Sequence, residues 1–301
     1  MRLRTLVPVT AAAGAAVLGY ASVIERNWFA LRRLDLQVLP PGTGPLRILH
    51  ISDTHLTPGR KRLISWLRDL DELDPHLVVN TGDSISHPDA VRPLLDALGP
   101  LLDRPGAFVL GSNDLFAPEP FNPANYLLGP SSTRRKKKAP DLPWQKLRDG
   151  LAESGWLDLD NHRGQLTADG LDIAVAGVGD AHMNCDRYAQ IAGPADPAAD
   201  LRLAVTHSPE PRLLDQFAVD GYDLLLAGHT HGGQVCLPGY GTLVTNCGID
   251  RKRARGLHRY PADGPAWLHV SAGLGTSPWA PYRLACRPEA SLLTLLPRTS
   301  G

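Results

Sequence analysis

The 301-residue chain has few cysteines and no excess of charge of either sign. Its four cysteines form no CxxC pair or zinc-ribbon spacing, so they do not build a disulfide framework, and we interpret them as small buried apolar residues. The 31 Lys and Arg residues balance the 31 Asp and Glu residues. Because a dedicated nucleic-acid-binding protein is usually basic, no nucleic-acid partner is expected.

The N-terminus contains an uncharged stretch of 20 residues, Thr5 to Ile24. At about 1.5 Å per helical residue, it is just long enough to span a hydrocarbon core of about 30 Å. A signal peptide cleaved near Ala21 is the alternative interpretation. We favour a single-pass anchor over residues 1–26, which predicts a cell-membrane location (or export) with the side of the membrane undefined. Plausible interface residues follow it, namely Trp28, Phe29, Arg32 and Arg33.

After the anchor, residues 27–45 are interpreted as a linker, and residues 46–301 as the main domain. Apolar strand patterns there alternate with helical ones, which predicts parallel strands joined by helical crossovers. The C-terminal part is richer in strands, so we expect an α/β sandwich with a parallel half and a more antiparallel half. Residues 116–143 contain six prolines and the run RRKKK, and are interpreted as a surface insertion.

Polar residues with metal-binding side chains follow five of the predicted strands. In an α/β sheet, such residues collect beyond the carboxyl ends of the strands, so we expect all five groups to meet at one edge. The groups are Ser52-Asp53-Thr54-His55, Thr81-Gly82-Asp83, Gly111-Ser112-Asn113-Asp114, Thr206-His207-Ser208 and Gly228-His229-Thr230-His231.

The side chains in these groups are carboxylates, amides and imidazoles, without a thiolate. That set suits Mn, Fe or Zn in a reactive site better than a structural zinc. A single Asp at a strand end is usually a helix cap, and a single His is usually structural, but five such groups in order are hard to produce by chance. The histidines elsewhere receive the structural interpretation: His50, His76, His87, His162, His258 and His269.

From about residue 46 to the C-terminus, these motifs resemble those of the calcineurin-like metallophosphoesterases. The GHTHGGQ sequence, Gly228 to Gln234, is similar to the membrane-anchored or exported bacterial branch. The resemblance implies a four-layer α/β/β/α sandwich. It also implies metal-dependent hydrolysis of a mono-, di- or pyrophosphoester carried by a small molecule or a membrane lipid.

The resemblance further implies two divalent metal ions, with manganese, iron or zinc expected. Asp53, His55 and His231 would hold the first ion, and Asn113, His207 and His229 the second. Asp83 would bridge both. A hydroxide bridging the two metals would attack phosphorus in line, so no protein nucleophile is needed.

The third motif departs from the Gly-Asn-His of the family. In one register, Ser112 replaces the metal-binding Asn and Asn113 replaces the His. We prefer the other register, in which Ser112 is an extra residue, Asn113 remains a ligand and Asp114 replaces the histidine that helps to position the phosphate and to protonate the leaving group. Asp114 could act as an acid only with a raised pKa. Asp180 and His182 are weaker predictions, as substrate contacts. The alternatives are a scaffold with weakened catalysis, based on the altered third motif, and a nuclease.

Overall fold

A computed structural model describes residues 12–122, 125 and 141–299. Most of the predicted insertion 116–143 and the beginning of the predicted anchor therefore lie outside the described residues.

The first sheet has six strands, and every neighbouring pair is parallel except the second and third strands in the order that follows. In spatial order the strands are β1 (Ala30–Leu39), β14 (Glu289–Pro297), β2 (Leu46–Ile51), β3 (Leu77–Asn80), β4 (Gly106–Phe108) and β5 (Leu157–Asp158).

The second sheet also has six strands, parallel at its centre and antiparallel at both outer pairs. Its order is β12 (Gly256–Tyr260), β13 (Ala266–Val270), β9 (Leu224–Ala227), β8 (Leu201–Thr206), β7 (Leu171–Val178) and β6 (His162–Ala168). A small hairpin joins β10 (Cys236–Leu237) to β11 (Gly241–Thr242). Because both sheets are mainly parallel, the expected contrast between the two halves is weaker than the sequence suggested.

The α-helices connect and cover these strands. They are α1 (residues 12–19), α2 (Lys61–Asp69), α3 (Val91–Leu98), α4 (Ser112–Leu115), α5 (Trp144–Glu153) and α6 (Pro211–Val219). Short 3-10 turns extend α2 to Leu73 and flank α3 on both sides.

Alternation along the strands produces the layers, because successive side chains in a strand point to opposite faces. On β2, Leu46 and Ile48 enter the apolar core between the two sheets, whereas Leu49 and Ile51 pack with α2, α3 and α5. The outer face of the second sheet packs against α6. The predicted α/β/β/α sandwich is therefore confirmed.

The predicted linker 27–45 is wrong for its central part. Ala30–Leu39 forms β1, the edge strand of the first sheet, and pairs in parallel with β14. Leu36, Val38 and Leu39 are buried there. The local pattern did not indicate a strand because the partner lies at the other end of the chain.

In the part of the chain that the structure describes, we find no helix that is both long and apolar enough to cross a membrane. The first residues of the predicted anchor precede residue 12. Helix α1 and the turn after it expose apolar side chains, among them Val17, Leu18, Val23 and Ile24.

Candidate metal centre

The predicted ligands come from loops that leave both sheets at one edge of the sandwich. Asp53 and His55 follow β2, and Asp83 follows β3. His207 follows β8, while His229 and His231 follow β9 on the opposite sheet. Asn113 lies in α4, shortly after β4. The convergence expected from the strand ends is therefore present, and each sheet supplies part of one cluster.

Five of these residues have backbone conformations that side chains rarely adopt. Their φ angles are 48° at Asp53, 41° at His55, 53° at Asp83, 70° at His229 and 50° at His231. A positive φ at a residue other than glycine is uncommon, and it persists only where the surrounding structure enforces it. Its repetition at five predicted ligands indicates that the fold holds these side chains in place at a local energetic cost.

Asp53, His55 and His231 form the first of two groups of ligand atoms that lie within 4.8 Å of one another. The Nε2 atoms of His55 and His231 are 3.1 Å apart, and Nε2 of His231 is 3.7 Å from Oδ1 of Asp53. Burial lowers the pKa of His55 to about 4, so its ring is neutral and can present a lone pair.

The second group contains Asp53, which it shares with the first, and His207. Its third member, Asp83, lies between His55 and His207. Its Oδ2 atom is 3.5 Å from Nε2 of His55 and 3.5 Å from Nε2 of His207. Burial alone would raise the pKa of Asp83, but His207, His55 and Asn113 together hold it well below its usual range. Asp83 is therefore an ionised carboxylate at the centre of the cluster.

The carbonyl partners of His207 and His229 show which ring nitrogen carries the proton, because a carbonyl oxygen can only accept a hydrogen bond. Nδ1 of His207 donates to the carbonyl oxygen of Thr81 at 2.7 Å, and Nε2 of His229 donates to that of Asn246 at 3.3 Å. The other two nitrogens, Nε2 of His207 and Nδ1 of His229, lie 3.3 Å apart. Both are thus oriented to offer lone pairs to a cation, as expected when outer partners set the tautomer.

The cluster is electrostatically suited to positive charge. Burial would lower the pKa of His207, but the carboxylates of Asp83, Asp180 and Asp53 outweigh burial and raise it well above its usual value. Carboxylates that stabilise a proton on a buried imidazole would also stabilise a metal ion in that place. The donor set and its geometry therefore fit divalent cations.

In the third motif, Asn113 reaches the cluster. Its backbone N–H donates to Oδ1 of Asp83 and its side-chain amide donates to Oδ2, both at 2.7 Å. Asp114 is fully buried instead. Its Oδ1 accepts hydrogen bonds from the backbone N–H groups of Ser84 and Ile85, and its Oδ2 accepts one from Gly111. Burial and, to a smaller extent, the negative charge of Asp83 raise the pKa of Asp114 to about 7.

The general-acid role of Asp114 stays a prediction, because its pKa is raised as that role requires but its side chain is committed to backbone hydrogen bonds. Both of its oxygens accept backbone hydrogen bonds, so the side chain joins the β3 loop to the start of α4. The family pattern suggested an acid at this position, and the sequence did not reveal that these backbone donors surround it.

Asp180 and His182 lie beside the cluster and are buried. Oδ1 of Asp180 accepts a hydrogen bond from the backbone N–H of His182 at 2.8 Å. The ring of His182 packs against that of His229 with 4.4 Å between centroids. Their predicted role in substrate contact stays a prediction.

Arg283 supports the cluster and was not identified from the sequence. Its buried guanidinium donates from Nη1 to the carbonyl oxygen of His231 at 2.9 Å and from Nη2 to that of Gly275 at 2.7 Å. It lies 52 residues from His231 in the chain and belongs to no motif, so no local signal pointed to it.

The chain is similar in sequence to several bacterial proteins. The chain is 29% identical over 269 residues to the uncharacterized protein YpbG of Bacillus subtilis, covering 84% of this chain and 82% of that one. It is 26% identical over 287 residues to phosphodiesterase YaeI of Escherichia coli, covering 92% of each chain. It is also 27% identical over 288 residues to the uncharacterized metallophosphoesterase YkuE of B. subtilis, covering 92% of this chain and 89% of that one.

The sequence profile of the calcineurin-like phosphoesterases matches residues 46–233, which include all seven predicted ligands. The chain therefore belongs to the calcineurin-like phosphoesterase family and is a hydrolase that acts on phosphoester bonds.

Proposed function

We propose that this protein hydrolyses a phosphodiester or a related phosphoester with two divalent cations. Asp53, His55 and His231 would hold one cation, Asn113, His207 and His229 the other, and Asp83 both. The observation that carries the proposal is the position of Oδ2 of Asp83, which is 3.5 Å from an imidazole nitrogen of each half of the site. The name of the E. coli relative, a phosphodiesterase, supports a diester as the first substrate class to test.

Two divalent cations at this position would activate a water molecule and neutralise the charge that develops on phosphorus. The protein itself orients the ligands. Thr81 and Asn246 fix the tautomers of His207 and His229, and Asn113 donates to both oxygens of Asp83. The side chain of Asn113 is only half-buried, so it lies at the open side of the cluster, where a phosphoryl group could approach.

Cationic side chains next to His55 support an anionic substrate. Burial and the positive charges of Arg26 and Arg283 together lower the pKa of Arg60 to about 10. Among the described residues, Nη2 of Arg60 has no hydrogen-bond partner. Guanidinium groups match the geometry of phosphate oxygens, and an arriving phosphate would relieve the repulsion among these cations.

Membrane association is part of the proposal. It is supported by the uncharged stretch from Thr5 and by apolar side chains exposed near the domain, including Trp28 at 53% exposure. Lipid phosphoesters therefore belong in the substrate screen beside soluble ones.

Removal and return of metal tests the function directly. Protein stripped with a chelator should lose turnover of bis-p-nitrophenyl phosphate and regain it with Mn²⁺, Fe²⁺ or Zn²⁺. Metal analysis should find about two ions per chain, because Oδ2 of Asp83 lies 3.5 Å from His55 of one proposed ligand set and from His207 of the other. Full turnover of a chelator-treated sample that contains no metal would contradict the proposal, and metal binding without turnover of any phosphoester would favour the scaffold alternative.

Asp114→Asn separates a positioning role from an acid role. An amide places a donor group against one of the backbone N–H groups, so we expect a loss of about 1–3 kcal/mol in the free energy of unfolding. Turnover should fall by the same factor for aryl phosphoesters with good and with poor leaving groups. A fall confined to poor leaving groups would restore the acid role, since a general acid matters most there.

A further inference from the structure

Two buried histidines lie behind the predicted metal site and are not part of it. His50 is on β2 of the first sheet and His269 is on β13 of the second, and both are fully buried. His50 continues the inward row of Leu46 and Ile48 on β2. Nδ1 of His50 and Nδ1 of His269 are 2.8 Å apart, so the two rings join the sheets next to the site.

A continuous series of hydrogen bonds runs from these rings to Asp53. Nε2 of His50 is 3.0 Å from the Thr81 hydroxyl, which donates to the Ser52 hydroxyl at 2.7 Å. The Ser52 hydroxyl donates to Oδ2 of Asp53 at 2.5 Å. Every residue in this series is buried, with less than 1% of its surface exposed.

The direction of each hydrogen bond follows from the acceptor at the end. Ser52 donates to a carboxylate and Thr81 donates to Ser52, so Thr81 must accept from Nε2–H of His50. Burial lowers the pKa of His269 to about 3 and that of His50 well below its usual value, so both rings are neutral. Nδ1 of His50 is then an acceptor, and His269 donates to it from Nδ1–H. Nε2 of His269 is left as a buried acceptor without a partner among the described residues.

We propose that His269, His50, Thr81 and Ser52 form a one-way hydrogen-bond chain that positions Asp53 for metal binding. The proposal rests on the proposed metal centre. Oδ2 of Asp53 accepts from Ser52 and from the backbone N–H of His229, at 2.5 and 3.0 Å. Oδ1 shares the N–H of His229 at 3.2 Å and faces Nε2 of His231 at 3.7 Å, so the hydrogen bond from Ser52 is what distinguishes the two oxygens. The hydrogen-bond chain therefore determines which carboxylate oxygen faces the cation. Because His50 and His269 lie on different sheets, this orientation depends on how the two sheets pack.

Ser52→Ala tests the last step of the chain, and Ser291→Ala is its matched control. Ser291 is fully buried on β14 directly opposite His50, and its hydroxyl has no partner among the described residues. The dissociation constant for Mn²⁺ is measured on chelator-stripped protein, beside the melting temperature of the metal-free form. Loss of an outer partner of a metal ligand typically weakens binding about 10–100-fold, so Ser52→Ala should do so while Ser291→Ala should not. If Ser52→Ala does not fold, Thr81→Val breaks the chain without changing its shape.

His269→Asn and His269→Leu test the far end. The two side chains have the same number of heavy atoms in the same branched arrangement, but only the Asn amide can replace the Nδ1–H donor to His50. Metal affinity should fall for Leu and largely return for Asn. Equal losses of metal affinity in both variants, or an unchanged metal affinity in Ser52→Ala, would overturn the proposed hydrogen-bond chain while the proposed function stands. A wild-type protein that binds no metal would overturn both.

Discussion

Asp83→Asn should lower kcat/KM for every phosphoester substrate by more than about 100-fold. Loss of a residue that only hydrogen-bonds to a metal ligand typically lowers metal affinity or activity about 10–100-fold, and loss of a proposed ligand itself should have a larger effect. The amide has no negative charge and only one oxygen. A neutral amide is therefore a weaker partner for two cations than the carboxylate, whose Oδ2 lies 3.5 Å from Nε2 of His55 and of His207. It also places an N–H donor against Asn113, which now donates to both Asp83 oxygens. Metal content should fall from the two ions per chain that we propose to one or fewer.

Asp89→Asn is the matched control for this substitution. Its side chain is 83% exposed and lies six residues further along the same loop region, so it changes the same charge outside the cluster. Circular dichroism and melting curves of both variants verify folding. Turnover by Asp83→Asn within a few-fold of the control would exclude a central role for this carboxylate.

Gly228→Ala should have the second largest effect. A Cβ atom at this position would overlap the Ser52 hydroxyl and would lie 2.5 Å from Oδ2 of Asp53 and 3.0 Å from Oγ1 of Thr81. The added methyl group would therefore clash with the Ser52 and Thr81 side chains whose hydrogen bonds hold Asp53. Overpacking of this kind typically costs about 1–3 kcal/mol, and its relief by movement of Asp53 would displace a metal ligand. Metal binding and turnover should fall together.

Gly59→Ala is the control for Gly228→Ala. A Cβ atom at residue 59 would meet nothing within 4 Å, and this glycine has an ordinary φ. The measurements are the melting temperature of the metal-free protein and its metal stoichiometry. Wild-type stoichiometry and turnover in Gly228→Ala would show that the close approach of this glycine is not required.

The strands of the sandwich could be predicted where the local sequence pattern is enough to identify them. The strands Leu77–Asn80 and Leu201–Thr206 are examples, because each is a short, mainly apolar run, which is the local pattern of a buried strand. Strand β1 was missed because its pairing with β14 joins residues about 260 positions apart. A local pattern with polar residues at Arg32, Arg33 and Asp35 does not reveal such a partner.

The motifs also identified the residues that the structure gathers at the site, since strand ends in an α/β sheet share an edge. They did not reveal what surrounds those residues. Asp114 accepts three backbone hydrogen bonds, and Arg283 donates to the carbonyl oxygen of His231. His50 and His269 were interpreted as structural, yet they begin a hydrogen-bond chain that ends on Asp53. Each of these contacts joins segments that are distant in sequence.

The sequence by itself determined the family, the layered α/β fold and the set of predicted ligands, because these depend on residue type, short spacing and strand order. Tertiary structure decided the roles within the site. Which carboxylate lies at the centre, which imidazole nitrogen carries a proton, and which acid is tied to the backbone depend on distances of about 3 Å between residues far apart in the chain. Hydrogen bonding is short-ranged and directional, so these roles could be assigned only once both sheets were packed together.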